Sequence, residues 1–195
     1  MTIKKVAIIG AGAAGLLSAK HALENNLLPF VFEKSNSIGG LWSLDSSFIW
    51  KGLITNTSVY REMFMNYSWP DIDNTPMFPS AMEINAYLVG FCKQFCLNDY
   101  IFLNNRIDQV KLTPCGKWKV NSINVVTNEE KSELFEYLIV ASGEHAIPKI
   151  PYVENSKHFK GLQLHSSQFQ LDDSRLKSKK VIVVRKTFAY WKVLF

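Results

Sequence analysis

A chain of 195 residues is long enough for one ordinary domain and the start of a second. Hydrophobic residues at 47% and charged residues at 20% give the balance of a soluble globular protein, which excludes a disordered tail, a collagen-like repeat and a small disulfide scaffold. Lys+Arg 22 against Asp+Glu 17 leaves +5, scattered except at Lys177, Lys179 and Lys180, so a nucleic-acid reader with a sharp basic stripe is disfavoured.

The first predicted element is a strand over residues 3–9, whose apolar end reads as a buried parallel strand. Gly10-Ala11-Gly12-Ala13-Ala14-Gly15 follows at once. Leu16, Leu17, Ala19, Ala22 and Leu23 then recur at helical spacing over residues 14–25. Pro29 to Glu33 is a second short strand with an acid at its end, which completes a βαβ unit. Residues 43–80 are less regular. They hold Pro70, Pro76 and Pro79 with interleaved aromatics (Trp50, Tyr60, Phe64, Tyr67, Trp69, Phe78), a loop-rich segment packed on a core.

Ser80 with Glu83 three residues on is a capping box. The helix it opens, through residue 97, places Ile84, Tyr87, Leu88, Phe91, Cys92 and Phe95 on one face. Cys92 and Cys96 are four apart and are expected as two buried thiols on that face. With Cys115 they make three cysteines, no paired framework and no CxxC, which fits reducing, cytoplasmic surroundings. Tyr100–Leu103, Ile107–Leu112, Trp118–Val120 and Ile123–Thr127 read as an antiparallel meander. Leu134–Ala141 is predicted as a buried strand closed by Ser142-Gly143, and Lys179–Val184 as another. No signal-peptide core and no run of 18 apolar residues occurs, so no membrane-spanning segment is expected.

The glycine loop has a specific chemistry. Gly10 permits the turn out of the strand, Gly12 lets backbone approach a pyrophosphate, and Gly15 lets helix and strand pack closely. Free N–H groups at the helix start would face the phosphates. Glu33 lies 18 residues after Gly15, where a carboxylate accepts from ribose hydroxyls and repels a 2′-phosphate. This first site therefore suits FAD or NAD rather than NADP. Gly12→Val is expected to block binding, by bulk and by resisting positive φ.

The spacing from Gly10-x-Gly12-x-x-Gly15 to Glu33 and on to Gly39-Gly40-Leu41-Trp42 resembles the signature of flavoproteins with two dinucleotide-binding domains. Val140-Ala141-Ser142-Gly143 resembles their ATG motif, with Ser142 in place of Thr. Thr55-Asn56-Thr57-Ser58 and Arg61-Glu62-Met63 resemble a "TN-S-K-E-M" segment, with Val59-Tyr60 as a small insertion. Phe159 to Phe169, with Gly161 and His165, matches FxGxxxHxxx(Y/F), a fingerprint of flavin-dependent N-hydroxylating and related monooxygenases. On these motifs the chain resembles the flavin-containing monooxygenases, from residue 3 to about 184.

The resemblance implies FAD reduced by NADPH, O₂ trapped as a C4a-hydroperoxyflavin, and one oxygen passed to a small-molecule amine or sulfide. It implies that Gly10, Ala11, Gly12, Ala13, Ala14 and Gly15 wrap the FAD pyrophosphate and that Glu33 meets the ribose. Gly40, Leu41 and Trp42 would border the flavin, and Ser142 and Gly143 would close the same edge. Asn56 would sit beside the isoalloxazine as the catalytic residue, with Thr55 against NADP and Thr57 against FAD. The expected fold is α/β: an FAD-binding Rossmann-like three-layer core with an inserted helix and antiparallel β-meander, plus the start of a truncated NADPH-binding domain. The division falls at 1–147 and 148–195.

Two features depart from the family. Its members are more than twice this long, and Arg185 stands where a second glycine loop should follow Val181–Val184; no glycine follows Gly161. The chain is therefore expected to be a fragment, an altered-splice or frameshifted product, or a degenerate gene. The competing readings are a non-catalytic FAD-binding module and a Baeyer–Villiger-type monooxygenase, whose fingerprint ends in Trp where this chain has Phe169.

Overall fold

A computed structural model of the chain describes residues 3–46, 49–50, 52–144, 147–150, 152–169 and 173–184. Strand β1 (Lys4–Ile9) leads into helix α1 (Ala13–Glu24) and strand β2 (Leu27–Phe32). Helix α2 (Ala81–Gln94) precedes strand β3 (Ile101–Phe102). Four strands follow: β4 (Asn105–Leu112), β5 (Trp118–Asn124), β6 (Glu130–Phe135) and β7 (Tyr137–Val140).

Two sheets result. One is parallel, in the order β3-β2-β1-β7, and the other is antiparallel, in the order β4-β5-β6. Alternation along β1 explains the layering. Val6 and Ile8 face α1 and α2, in a core with Leu16, Ala19, Ile84, Leu88 and Phe91. Ala7 faces the other way, toward Phe32, Val120 and Phe135 under the antiparallel sheet. Helices, parallel sheet and antiparallel sheet make the three layers. Both faces of β1 are covered, so its sequence reads as a continuous apolar run rather than an alternation.

The helix starts follow from local chemistry. Ser80 Oγ accepts from Glu83 N–H, and the Glu83 carboxylate accepts from Ser80 N–H at 2.6 Å, so α2 begins on the expected capping box. α1 begins on Gly12, and no side chain caps it. Pro29 is tolerated inside β2 because the β3 ladder reaches only Val31 and Phe32, which leaves the outer side of Pro29 without a strand to bond.

Several expectations are corrected. Tyr100–Leu103 does not begin the meander; Ile101 and Phe102 pair in parallel with β2. Trp118–Val120 and Ile123–Thr127 are one strand through Asn124, followed by a turn. Leu134–Ala141 is not one strand. Glu136 divides it, and the chain passes from the antiparallel sheet into the parallel one. The second half is an edge, with Val140 66% exposed, because among the described residues β7 pairs only with β1. Residues 179–184 form no strand, and Ile182 is 84% exposed: among the described residues no neighbouring strand supplies a ladder. Cys96 is exposed while Cys92 is buried. The helix ends at Gln94, and Cys96 takes φ +51°, which turns it off the helix face. The expected departure at Arg185–Phe195 lies outside the described residues.

Candidate nucleotide-binding site

The strand order reverses at β1, with β2 and β3 on one side and β7 on the other. In an open parallel sheet this switch point opens a crevice at the carboxyl ends of the strands, where ligands bind. The glycine loop leaves β1 at that point. Ser142 and Gly143 follow β7 on the neighbouring strand, as β1 and β7 run in parallel register from Val6↔Tyr137 to Ile9↔Val140.

The three loop glycines meet different demands. Gly10 has φ +104°, and a Cβ there would lie 2.5 Å from the Ala141 carbonyl oxygen. A Cβ on Gly15 would overlap the Gly10 carbonyl oxygen. Both are required by the fold itself, because neither neighbour is a side chain that can turn away. Gly12 differs. It has φ −77° and ψ −178°, ordinary extended backbone, so the expected positive φ is corrected. A Cβ on Gly12 would lie 3.6 Å from the Gly40 Cα, an ordinary contact.

Glu33 follows β2 and is 7% exposed. One carboxylate oxygen accepts from Ala11 N–H at 2.9 Å and the other from Ser35 N–H at 2.9 Å. The acid therefore ties the glycine loop to the end of β2. Each oxygen keeps a second lone pair for a further donor such as a ribose hydroxyl. Gly39 N–H donates to the Ala11 carbonyl at 2.9 Å, which sets the Gly39–Trp42 turn beside the loop. Gly39 and Gly40 have φ +115° and +58°, conformations that glycine adopts freely.

Gly10 to Gly15, Glu33, Gly39 to Trp42, and Ser142 with Gly143 thus gather at one edge of the parallel sheet. First-turn N–H groups of α1, without an acidic side chain among Ala13 to Gly15, make this edge suited to an anion.

Thr55, Asn56 and Thr57 are placed beside the start of α2. Thr55 N–H donates to the Pro79 carbonyl at 2.8 Å, and Ala81 N–H to the Leu53 carbonyl at 3.0 Å. Thr55 is buried and its hydroxyl donates to the Thr57 carbonyl at 2.8 Å. The Thr57 hydroxyl donates to the Glu62 carboxylate, and burial raises that carboxyl above the ordinary glutamate range. Asn56, between them, is exposed.

The Phe159–Phe169 fingerprint is placed by local contacts. His165 Nδ1 lies 2.8 Å from Ser167 Oγ, and Phe169 packs edge-on against Trp50 with centroids 5.8 Å apart. Sequence reasoning did not single out Asn85, whose side-chain amide donates to the Trp42 carbonyl at 3.0 Å. Its only signal was a polar residue next to the apolar stripe of α2. Among the described residues there is no metal-ligand cluster, and no helix is long and apolar enough to cross a membrane.

A family model described as flavin-binding monooxygenase-like matches residues 3–187. The chain belongs to this family. Flavin-containing monooxygenase 3 of Macaca mulatta is 35% identical over 193 residues, covering 93% of this chain and 35% of that protein. Dimethylaniline monooxygenase [N-oxide-forming] 2 of Oryctolagus cuniculus is 32% identical with the same coverage. The S-allyl-L-cysteine S-oxygenase of Allium sativum superposes with a TM-score of 0.78 at 25% identity, over 87% of this chain and 43% of the other. This flavin-binding monooxygenase-like chain therefore spans about a third of the length of the curated relatives it matches.

Proposed function

We propose that the chain forms the FAD-binding portion, residues 1–147, of a flavin-dependent monooxygenase that oxygenates soft nitrogen or sulfur nucleophiles with NADPH and O₂. Residues 148–195 would lead toward an NADPH-binding region. The observation that carries this reading is the convergence of Gly12, Glu33, Gly40 and Gly143 on the carboxyl edge of β1. The N-oxide-forming and S-oxygenase relatives support the choice of a soft nucleophile.

The residues fit the cofactor. No side chain caps the start of α1, and its first turn holds no acid to repel a phosphate. Backbone N–H groups of Gly12, Ala13 and Ala14 would hold the pyrophosphate, and Glu33 would accept from a ribose hydroxyl. Leu41 and Trp42 would border the flavin ring and exclude water. Asn56 would orient the ring's reacting edge and the nicotinamide, with Thr55 on the NADP side and Thr57 on the FAD side. Ser142 and Gly143 would close the crevice from β7. When bound, FAD supplies the redox and oxygen-transfer chemistry, and the protein binds, orients and shields.

The test is direct. Purify the chain, record the visible spectrum for bound flavin, and follow NADPH oxidation with a tertiary amine. Bound FAD is the expected result for an FAD-binding portion, and N-oxide formation would show that the chain alone completes the reaction. Bound FAD without NADPH oxidation supports a non-catalytic flavin-binding module. A colourless protein that takes up no FAD contradicts both.

A further inference from the structure

We infer that Asn85 is a positioning residue that holds the Gly39–Trp42 turn against the glycine loop. The inference rests on the reading that Leu41 and Trp42 border the flavin. The turn is intrinsically weak. It has two consecutive residues with positive φ, a single 3-10 turn at Gly40–Trp42 and no side-chain cap. Such a segment keeps one geometry only when its surroundings over-determine it.

Besides the Ser37–Ser43 hydroxyl pair at its end, the turn is held from the glycine loop and from α2. At the loop, Gly39 N–H donates to the Ala11 carbonyl, and the Gly40 backbone approaches Gly12 so closely that a Cβ on Gly40 would lie 2.9 Å from the Gly12 Cα. From α2, Asn85 Nδ2 donates to the Trp42 carbonyl at 3.0 Å, a contact 43 residues distant in sequence. The same nitrogen packs on Gly39, where a Cβ would lie 2.9 Å from it. Gly39 is thus glycine for two reasons, its φ of +115° and the amide lying over it.

Asn85 is well mounted for this task. α2 is fixed by its capping box and by the buried stripe of Ala81, Ile84, Tyr87, Leu88, Phe91 and Cys92. The side chain projects from the flank of that stripe, so its amide relates the position of the helix to the turn. The chemistry is directional. A carbonyl oxygen only accepts, so the NH₂ group is the required half of the amide. Aspartate has nearly the same shape, yet it cannot donate and sets a negative charge against the Trp42 carbonyl.

The test compares the parent chain with Asn85→Asp and Asn85→Ala. Each is titrated with FAD by flavin fluorescence, and the visible circular dichroism of the bound flavin is recorded. Hydrogen exchange at residues 39–43 and the melting temperature are measured without FAD. The expected result is a roughly tenfold weaker FAD affinity in Asn85→Asp, the scale of one part-buried hydrogen bond lost without replacement. An altered flavin dichroism and faster exchange at residues 39–43 should accompany it, with little change in melting. If Asn85→Asp proves too unstable to titrate, Asn85→Ala carries the same expectation without the added charge. Parent-like affinity, dichroism and exchange in the variants, with a parent that binds FAD, overturn the Asn85 role and leave the flavin reading intact. A parent that binds no FAD overturns the flavin reading and this role together.

Discussion

Glu136 is the one residue between β6 and β7, and it fastens the junction of the two sheets. Its N–H donates to the Lys5 carbonyl at 3.1 Å, and its carboxylate accepts from Lys5 N–H at 2.8 Å. The other carboxylate oxygen pairs with Lys117 Nζ at 2.7 Å. The Lys117 hydrogen bond first, and the Lys5 N–H second, hold the Glu136 carboxyl down to about 2. A depressed carboxyl contributes stability above its unfolded range, and that contribution disappears as pH falls toward about 2. Glu136→Gln should therefore melt below the parent at pH 7, and the two curves should converge as the solution is acidified to pH 2. Added salt should narrow the gap at pH 7, since the pair with Lys117 is partly exposed. A gap independent of pH between 7 and 2 would contradict this account. The same scale explains the cysteines. Burial pushes the Cys92 thiol up to about 11, which makes it an inert core side chain. Cys96 escapes the core by two residues of chain after the helix end.

At the scale of elements, α2 links the two halves of the candidate site, since Thr55 is tied to its start and Trp42 to Asn85. Its capping box is a local device, and its removal has a known size. Ser80→Ala should destabilise the chain by about 1 kcal/mol, within a range of about 0.5–2, and lower the urea midpoint without changing the slope. An unchanged midpoint would show that tertiary packing alone starts the helix. This helix was legible in the sequence because both of its signals are local: the cap at Ser80 and Glu83, and the 3.6-residue period of its apolar face. β3 was legible as a strand but not as a member of the parallel sheet. Ile101 and Phe102 carry no mark of partner or direction, because pairing with Val31 and Phe32 is decided by distant chain. The division of residues 134–141 was hidden for a related reason. Phe135 and Tyr137 are alike in apolarity, and only the switch of ladder at Glu136 separates them.

For the whole molecule, the site was legible where sequence-local turns build it and obscure where folding brings distant residues together. Gly10, Gly12, Gly15 and Glu33 belong to one βαβ unit, so their spacing is readable in the sequence, and the structure sets them at one edge of the parallel sheet. Asn85 reaches its partner Trp42, 43 residues away, only through the packing of α2, and no spacing rule marks it. The sequence reading assigns Gly10 and Gly15 to the fold and Gly12 to the ligand. The room around them differs accordingly: a Cβ on Gly10 or Gly15 would clash with backbone, and one on Gly12 would make only an ordinary contact with Gly40. Gly12→Ala is consequently the variant that isolates ligand binding from folding. Its methyl group makes an ordinary contact with Gly40, and its φ and ψ suit any residue. Without ligand it should melt within about 1 kcal/mol of the parent, the scale of a weakened helix cap. The decisive measurement is an FAD titration of Gly12→Ala and the parent by flavin fluorescence, with both shown to be folded. At least a hundredfold loss of affinity is expected in Gly12→Ala, about 2.8 kcal/mol. Equal affinity of the two folded proteins would contradict the assignment of this loop to the dinucleotide, and with it the flavin site.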